Sequence, residues 1–136
     1  MTAVFDARPS RLVRLRRRAF GPVHDVMAGA WAARELRRLR GALARDGVRA
    51  SVNRPPRRVS RNSGRVVMLA ARVARASCLE RSLLRQAWLR GRGTMRDVVI
   101  GVRSEDKFEA HAWLDGDPDG VDFVEIHRIR SDSIHP

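Results

Sequence analysis

Three residue types in this chain can do chemistry together: the lone cysteine Cys78, the histidine His111 and the aspartate Asp122. Cys78 sits in "SCLE", where Ser77 followed by Glu80 makes an S-x-x-E capping box. In that motif the serine side chain caps the helix and the glutamate reaches back to the serine N–H. Cys78 then takes the first helical position, where unpaired N–H groups and the positive end of the macrodipole gather. Both favour an anionic sulfur, the nucleophilic form of cysteine. The same N–H groups can hold the oxyanion formed when a thiolate attacks an amide.

Such a nucleophile needs a base and a group to orient the base. "FEAHAWL", residues 108–114, alternates Phe108, Ala110, Ala112 and Leu114 on one face with Glu109, His111 and Trp113 on the other. A helix packed across that strand brings thiol and imidazole together. Asp122, after the next turn, is the expected orienter of the His111 tautomer. Glu125 is the alternative, although Asp122 and Val124 share a face and Glu125 points the other way. Trp113 is expected to pack against the cleft and, with Ser77, to contact substrate.

The elements that must hold these groups follow from the pattern on either side. Pro9 suits a first helical turn, with Leu12, Val13 and Leu15 among the arginines that follow. A second helix is predicted over about 23–43, with Val26, Met27, Ala30, Trp31, Ala33, Leu36 and Leu39 inward and the arginines outward. "RDGVRASVNRPPRRVSRNSG" reads as a mobile linker or long loop over about 46–64. A third helix over about 66–75 precedes the cysteine helix, whose apolar face is Leu79, Leu83, Leu84, Ala87 and Trp88 and which "GRG" ends. "DVVIGV", "FEAHAWL" and "VDFVEIHRI" are predicted strands, with "DGDPDG" a turn between the last two. The expected architecture is α+β: N-terminal helices, then a Cys-bearing helix packed on a small antiparallel β-meander whose middle strand carries His111. Residues 1–65 form an Arg-rich helical region and residues 66–136 the core.

"CLERSLLRQAWLRGRG", "VVIGV" and "FEAHAWL", in that order, resemble the transglutaminase-like cysteine proteases that mature lasso peptides. The likeness covers about residues 66–126, and "FEAHAW" is its most specific part. It implies a transglutaminase or papain-like core with Cys78 as nucleophile, His111 as base and Asp122 as third member. It also implies removal of the leader from a ribosomally made precursor through a thioester, with no cofactor. The implied partners are the precursor's leader region, a small leader-recognition protein of the PqqD-like kind, and an ATP-dependent lasso cyclase. The chain is expected to lack a recognition domain of its own. Its "DGDPDG" turn is longer and more acidic than the family's usual one.

Composition sets the competing readings. The formal charge is +13, but Lys107 is the only lysine among 28 basic residues. That bias fits a GC-rich coding sequence as well as it fits phosphate binding. Residues 1–97 carry 24 basic and 6 acidic side chains, while residues 98–136 carry 4 and 9. The basic half can dock on the acidic half or on an acidic peptide. A basic nucleic-acid-binding module is the alternative function, yet the few aromatics are not interleaved with the arginine runs as strand binders require. Acyl transfer to an amine, as in transglutaminases, shares the nucleophile chemistry and stays open. One cysteine allows no internal disulfide, and no apolar run suggests a signal peptide or membrane span, so a cytoplasmic protein is expected. His24, His127 and His135 show no metal-ligand spacing. Asp115, Asp117, Asp119 and Gly120 imitate the start of a calcium loop, but the twelfth position is Ile126 where a bidentate glutamate is required.

Overall fold

The computed structural model describes residues 11–132, with side chains from residue 21 onward. Pro9 and His135 lie outside the described residues, and the side chains of Leu12, Val13 and Leu15 do too. Three helices, α1 (Arg11–Asp46), α2 (Gly64–Val73) and α3 (Cys78–Arg90), precede three strands, β1 (Val98–Ser104), β2 (Phe108–Leu114) and β3 (Val124–Ile129). This is the expected α+β class, with the cysteine on a helix.

Two helices were expected before residue 46; the chain forms one, running through Pro22. Proline removes a hydrogen bond and crowds the turn before it, which bends a helix without obliging it to end. The buried stripe of α1 is Ala28, Trp31, Ala32, Glu35, Leu36, Leu39 and Ala42. Trp31, Leu36 and Leu39 match expectation, whereas Val26, Met27, Ala30 and Ala33 face outward. The stripe is rotated because it accepts Glu35, which is only 2% exposed.

After α1, residues 50–60 form no helix or strand, and they are tied to α1 by Glu35. Its carboxylate accepts hydrogen bonds from the Asn53 backbone N–H and side-chain amide, each at 3.1 Å, and from Arg38 Nε at 3.1 Å. Arg38 Nη2 also donates to the Ser51 carbonyl at 2.6 Å. With its backbone tied to α1, this segment buries Ala50, Val52 and Val59 in the main core. A buried carboxylate that accepts several hydrogen bonds replaces the water it gave up.

The strands pair antiparallel, but the order is β2-β1-β3, so the sheet is not a meander. β1 is central and β2 is an edge strand, which moves His111 from the expected middle strand to the rim. The cause lies in β1: "VVIG" is the most apolar strand and is buried at Val98 and Val99, the place a central strand takes. α3 packs mainly on β2, where the Ser82 hydroxyl donates to the Ala112 carbonyl at 3.1 Å. Gln86 Nε2 bonds the carbonyls of Arg96 at 3.0 Å and Ile129 at 3.1 Å, fixing α3 to the start of β1 and the end of β3. The core continues unbroken from Ala28 on α1 to Leu114 on β2. Among the described residues no helix is long and apolar enough to cross a membrane.

Candidate active site

Cys78 is the first residue of α3, and both halves of the capping box form. Glu80 N–H donates to Ser77 Oγ at 3.2 Å, and Ser77 N–H donates to Glu80 Oε2 at 2.8 Å. A cap of this kind contributes about 1 kcal/mol. The backbone N–H of Arg81 goes to the Ser77 carbonyl, while those of Cys78 and Leu79 have no hydrogen-bond partner among the described residues. The thiol is half-buried, with two open N–H donors beside it.

The cap is held from outside. Arg40 on α1 donates through Nε to Glu80 Oε1 at 3.1 Å and through Nη2 to the Ala74 carbonyl at 2.6 Å. One guanidinium thus joins the end of α2 to the capping carboxylate of α3. Between the two helices Arg75 adopts φ 52°, the left-handed conformation, and Ala76 N–H reaches back to the Ala71 carbonyl at 2.9 Å. That closes α2 within a single turn and starts α3 with the cysteine first, at a backbone cost of about 1 kcal/mol.

Cys78 and His111 line one cleft of about 210 Å³, together with Met68, Arg81, Ser82 and Asp119. Ala112 and Leu114 on β2 join the helical core, so His111 and Trp113 stand on the alternate face of the strand. The expected meeting of thiol and imidazole across the sheet is therefore replaced by a meeting at its rim. There β2 has no further strand beside it among the described residues, and residues from both faces share the opening.

His111 is held by rings. Its imidazole stacks on Trp113 with centroids 5.9 Å apart and planes 21° apart, and lies 5.2 Å from Phe123. Trp113 itself is 8% exposed and runs over Gly101 of β1, where an added Cβ would stand 2.6 Å from the indole Cη2. The other edge of the indole lies against Gly120, where there is likewise no room for a Cβ. Both glycines are needed for close approach of backbone to ring.

The structure does not bring Asp122 to the imidazole. Asp122 is 71% exposed on its side chain, and its ion-pair partner is Arg103 at 4.0 Å. It precedes β3, which starts at Val124, so the strand alternation used to place it does not apply. Glu125 is committed elsewhere: Arg128 donates to both its oxygens at 2.9 Å, which holds that carboxyl below the usual range. Asp119 is the carboxylate beside the imidazole, with Oδ2 3.9 Å from His111 Nε2. It lies in a 3-10 turn, Pro118–Gly120, that Trp113 supports from below. Its neighbour Asp117 is fixed by Arg85 at 2.8 Å and Arg96 at 2.7 Å. Ser77 is exposed at the cap, and Trp113 forms part of the cleft wall.

Asp119 lay in a run read as a turn and weighed only against a calcium loop. Arg81 and Arg85 of the cleft were not singled out in the sequence, although they follow Cys78 at three and seven residues and so share its helical face. Among the described residues no group of three or more His, Cys, Asp or Glu is placed to hold a metal ion.

In comparison with known proteins, a family model described as the transglutaminase-like superfamily matches residues 25–124. No curated protein and no solved structure matches.

Proposed function

This chain belongs to the transglutaminase-like superfamily, and we propose that it is the cysteine peptidase that removes the leader from a ribosomally made lasso-peptide precursor. The observation that carries this reading is the placement of Cys78, first in a capped helix with open N–H groups, in one cleft with His111. The superfamily supports cysteine-based acyl chemistry. The "SCLE", "VVIGV" and "FEAHAWL" series supports the narrower choice of substrate.

In this mechanism the Cys78 thiolate adds to the scissile carbonyl. The oxyanion sits against the N–H groups of Cys78 and Leu79. The amine leaves with a proton from His111, and a thioester remains on the sulfur. Water, deprotonated by the same imidazole, releases the leader and restores the thiol. Asp119 orients the imidazole and offsets its positive charge. A small leader-recognition protein presents the substrate in the cytoplasm, and an ATP-dependent cyclase takes up the freed peptide.

Cys78→Ala is expected to abolish cleavage of a precursor while leaving the circular dichroism spectrum and melting temperature unchanged. Cleavage at the normal rate in that variant would refute the mechanism. The product mass separates hydrolysis from transfer to an amine: a leader ending in a free carboxylate supports the peptidase, and an amide-linked adduct supports an acyltransferase.

A further inference from the structure

A second groove, of about 690 Å³, runs between α2 and α3. It shares Met68, Arg81 and Arg85 with the Cys78–His111 cleft, so the two form one continuous depression. Its floor is apolar, built from Met68, Leu69 and Leu89, and Leu69 is 58% exposed. Its walls carry Arg61, Arg65, Arg72, Arg81 and Arg85, and no acidic residue lines it. Of these five, only Arg85 has a carboxylate partner among the described residues, Asp117 at 2.8 Å.

We propose that this groove docks an acidic, apolar stretch of the peptide substrate and leads it to Cys78. The proposal rests on the acyl chemistry assigned to the cleft and adds the class of sequence it accepts. Four guanidinium groups without carboxylate partners, spaced along an apolar floor, complement a segment that alternates carboxylates with aliphatic side chains. Nucleic acid fits less well. The groove's one aromatic, Trp88, is 5% exposed and already carries Arg92 over its ring at 3.7 Å, so no ring is free to stack a base. The groove also ends at a thiol and an imidazole, which act on acyl carbon.

The test uses the full chain and a short fluorescein-labelled peptide of alternating Glu and Leu, with its Gln–Leu counterpart as control. In the Cys78→Ala chain, anisotropy is expected to show the Glu–Leu peptide bound about tenfold tighter, a difference of about 1.4 kcal/mol. The double variant Arg65→Glu/Arg72→Glu removes that preference. Arg34→Glu/Arg37→Glu, an equal charge change on the exposed side of α1, keeps it. Equal affinity for the two peptides, or indifference to Arg65 and Arg72, overturns the proposal. Binding of a short RNA as tight as that of the peptide, lost in the same variant, overturns it in favour of nucleic acid.

Continuity with the cleft has its own readout. The same peptides ending in a chloromethyl ketone alkylate Cys78 of the wild-type chain, the sulfur displacing chloride to form a thioether. The acidic peptide should react faster; equal rates despite preferential binding overturn the assignment. Failure of the peptidase reading looks different: the acidic peptide docks and alkylates, yet no precursor is cleaved.

Discussion

Asp119 and Asp122 are three positions apart in one acidic turn, yet they stand in different relations to His111. Asp119 has an oxygen 3.9 Å from Nε2, and Asp122 pairs loosely with Arg103. Asp119→Asn keeps the shape of the side chain and removes its charge from beside the imidazole. It is expected to lower kcat/KM for precursor cleavage about tenfold, whereas Asp122→Asn changes it less than about twofold. A larger loss at Asp122 would return that residue to the site. The capped start of the cysteine helix was legible from local sequence, and so was the strand that carries His111, but their meeting at the sheet rim was not. Nor was the carboxylate, because alternation has meaning only inside a strand, and this turn folds as a short 3-10 segment. Which carboxylate points at the imidazole depends on how the indole beneath supports that segment.

Among the elements, α3 followed expectation most closely, since its start and end signals are local. Ser77 and Glu80 close the box with each other, and Arg40 adds a clamp from far away in sequence. α1 shows the limit of reading charge as outward. Ala28, Trp31, Leu39 and Ala42 recur at helical spacing, and Glu35 falls on the same stripe. A glutamate in such a stripe marks a partner that must arrive from elsewhere, here Asn53. The segment it holds looked like a linker because Ala50, Val52 and Val59 are separated by prolines and arginines. Tertiary hydrogen bonds, not periodicity, decide their burial. Glu35→Ala strips the Asn53 amides of their acceptor and leaves a void in the core. The expected loss is about 1–3 kcal/mol, read from the urea midpoint. Hydrogen exchange should quicken over residues 50–59 before it quickens in the sheet. A change confined to the sheet would mean that Glu35 does not hold this segment.

Across the whole molecule the basic and acidic halves share one core but are joined by few ion pairs among the described residues. Among the described residues the ion pairs that join residues 1–97 to residues 98–136 are Arg85–Asp117, Arg96–Asp117 and Arg128–Asp97. The described part of α1 contributes no pair to the acidic half. The arginines of that part, Arg34, Arg37, Arg38, Arg40 and Arg45, are exposed. The densest cluster in the acidic half surrounds Arg128, which bonds Asp97, Asp115 and Glu125. Hydrogen bonds from that guanidinium hold Asp115 and Glu125 below the usual carboxylate range. Unfolded carboxylates take up protons near about pH 4, and these two do so only at lower pH. Their stabilisation is therefore complete above about pH 4 and disappears as pH falls through the depressed folded values. Arg128→Met should lower the urea midpoint at about pH 6 and narrow the gap between about pH 6 and about pH 3. An unchanged gap would place the acid sensitivity elsewhere. The indole wedged between Gly101 and Gly120 has a consequence for descent. Neither glycine can change to another residue while the tryptophan stays, and a smaller ring would leave both glycines beside a hole. The three positions form one inherited character, spread over 20 residues of sequence, and a distant relative should keep all of it or none.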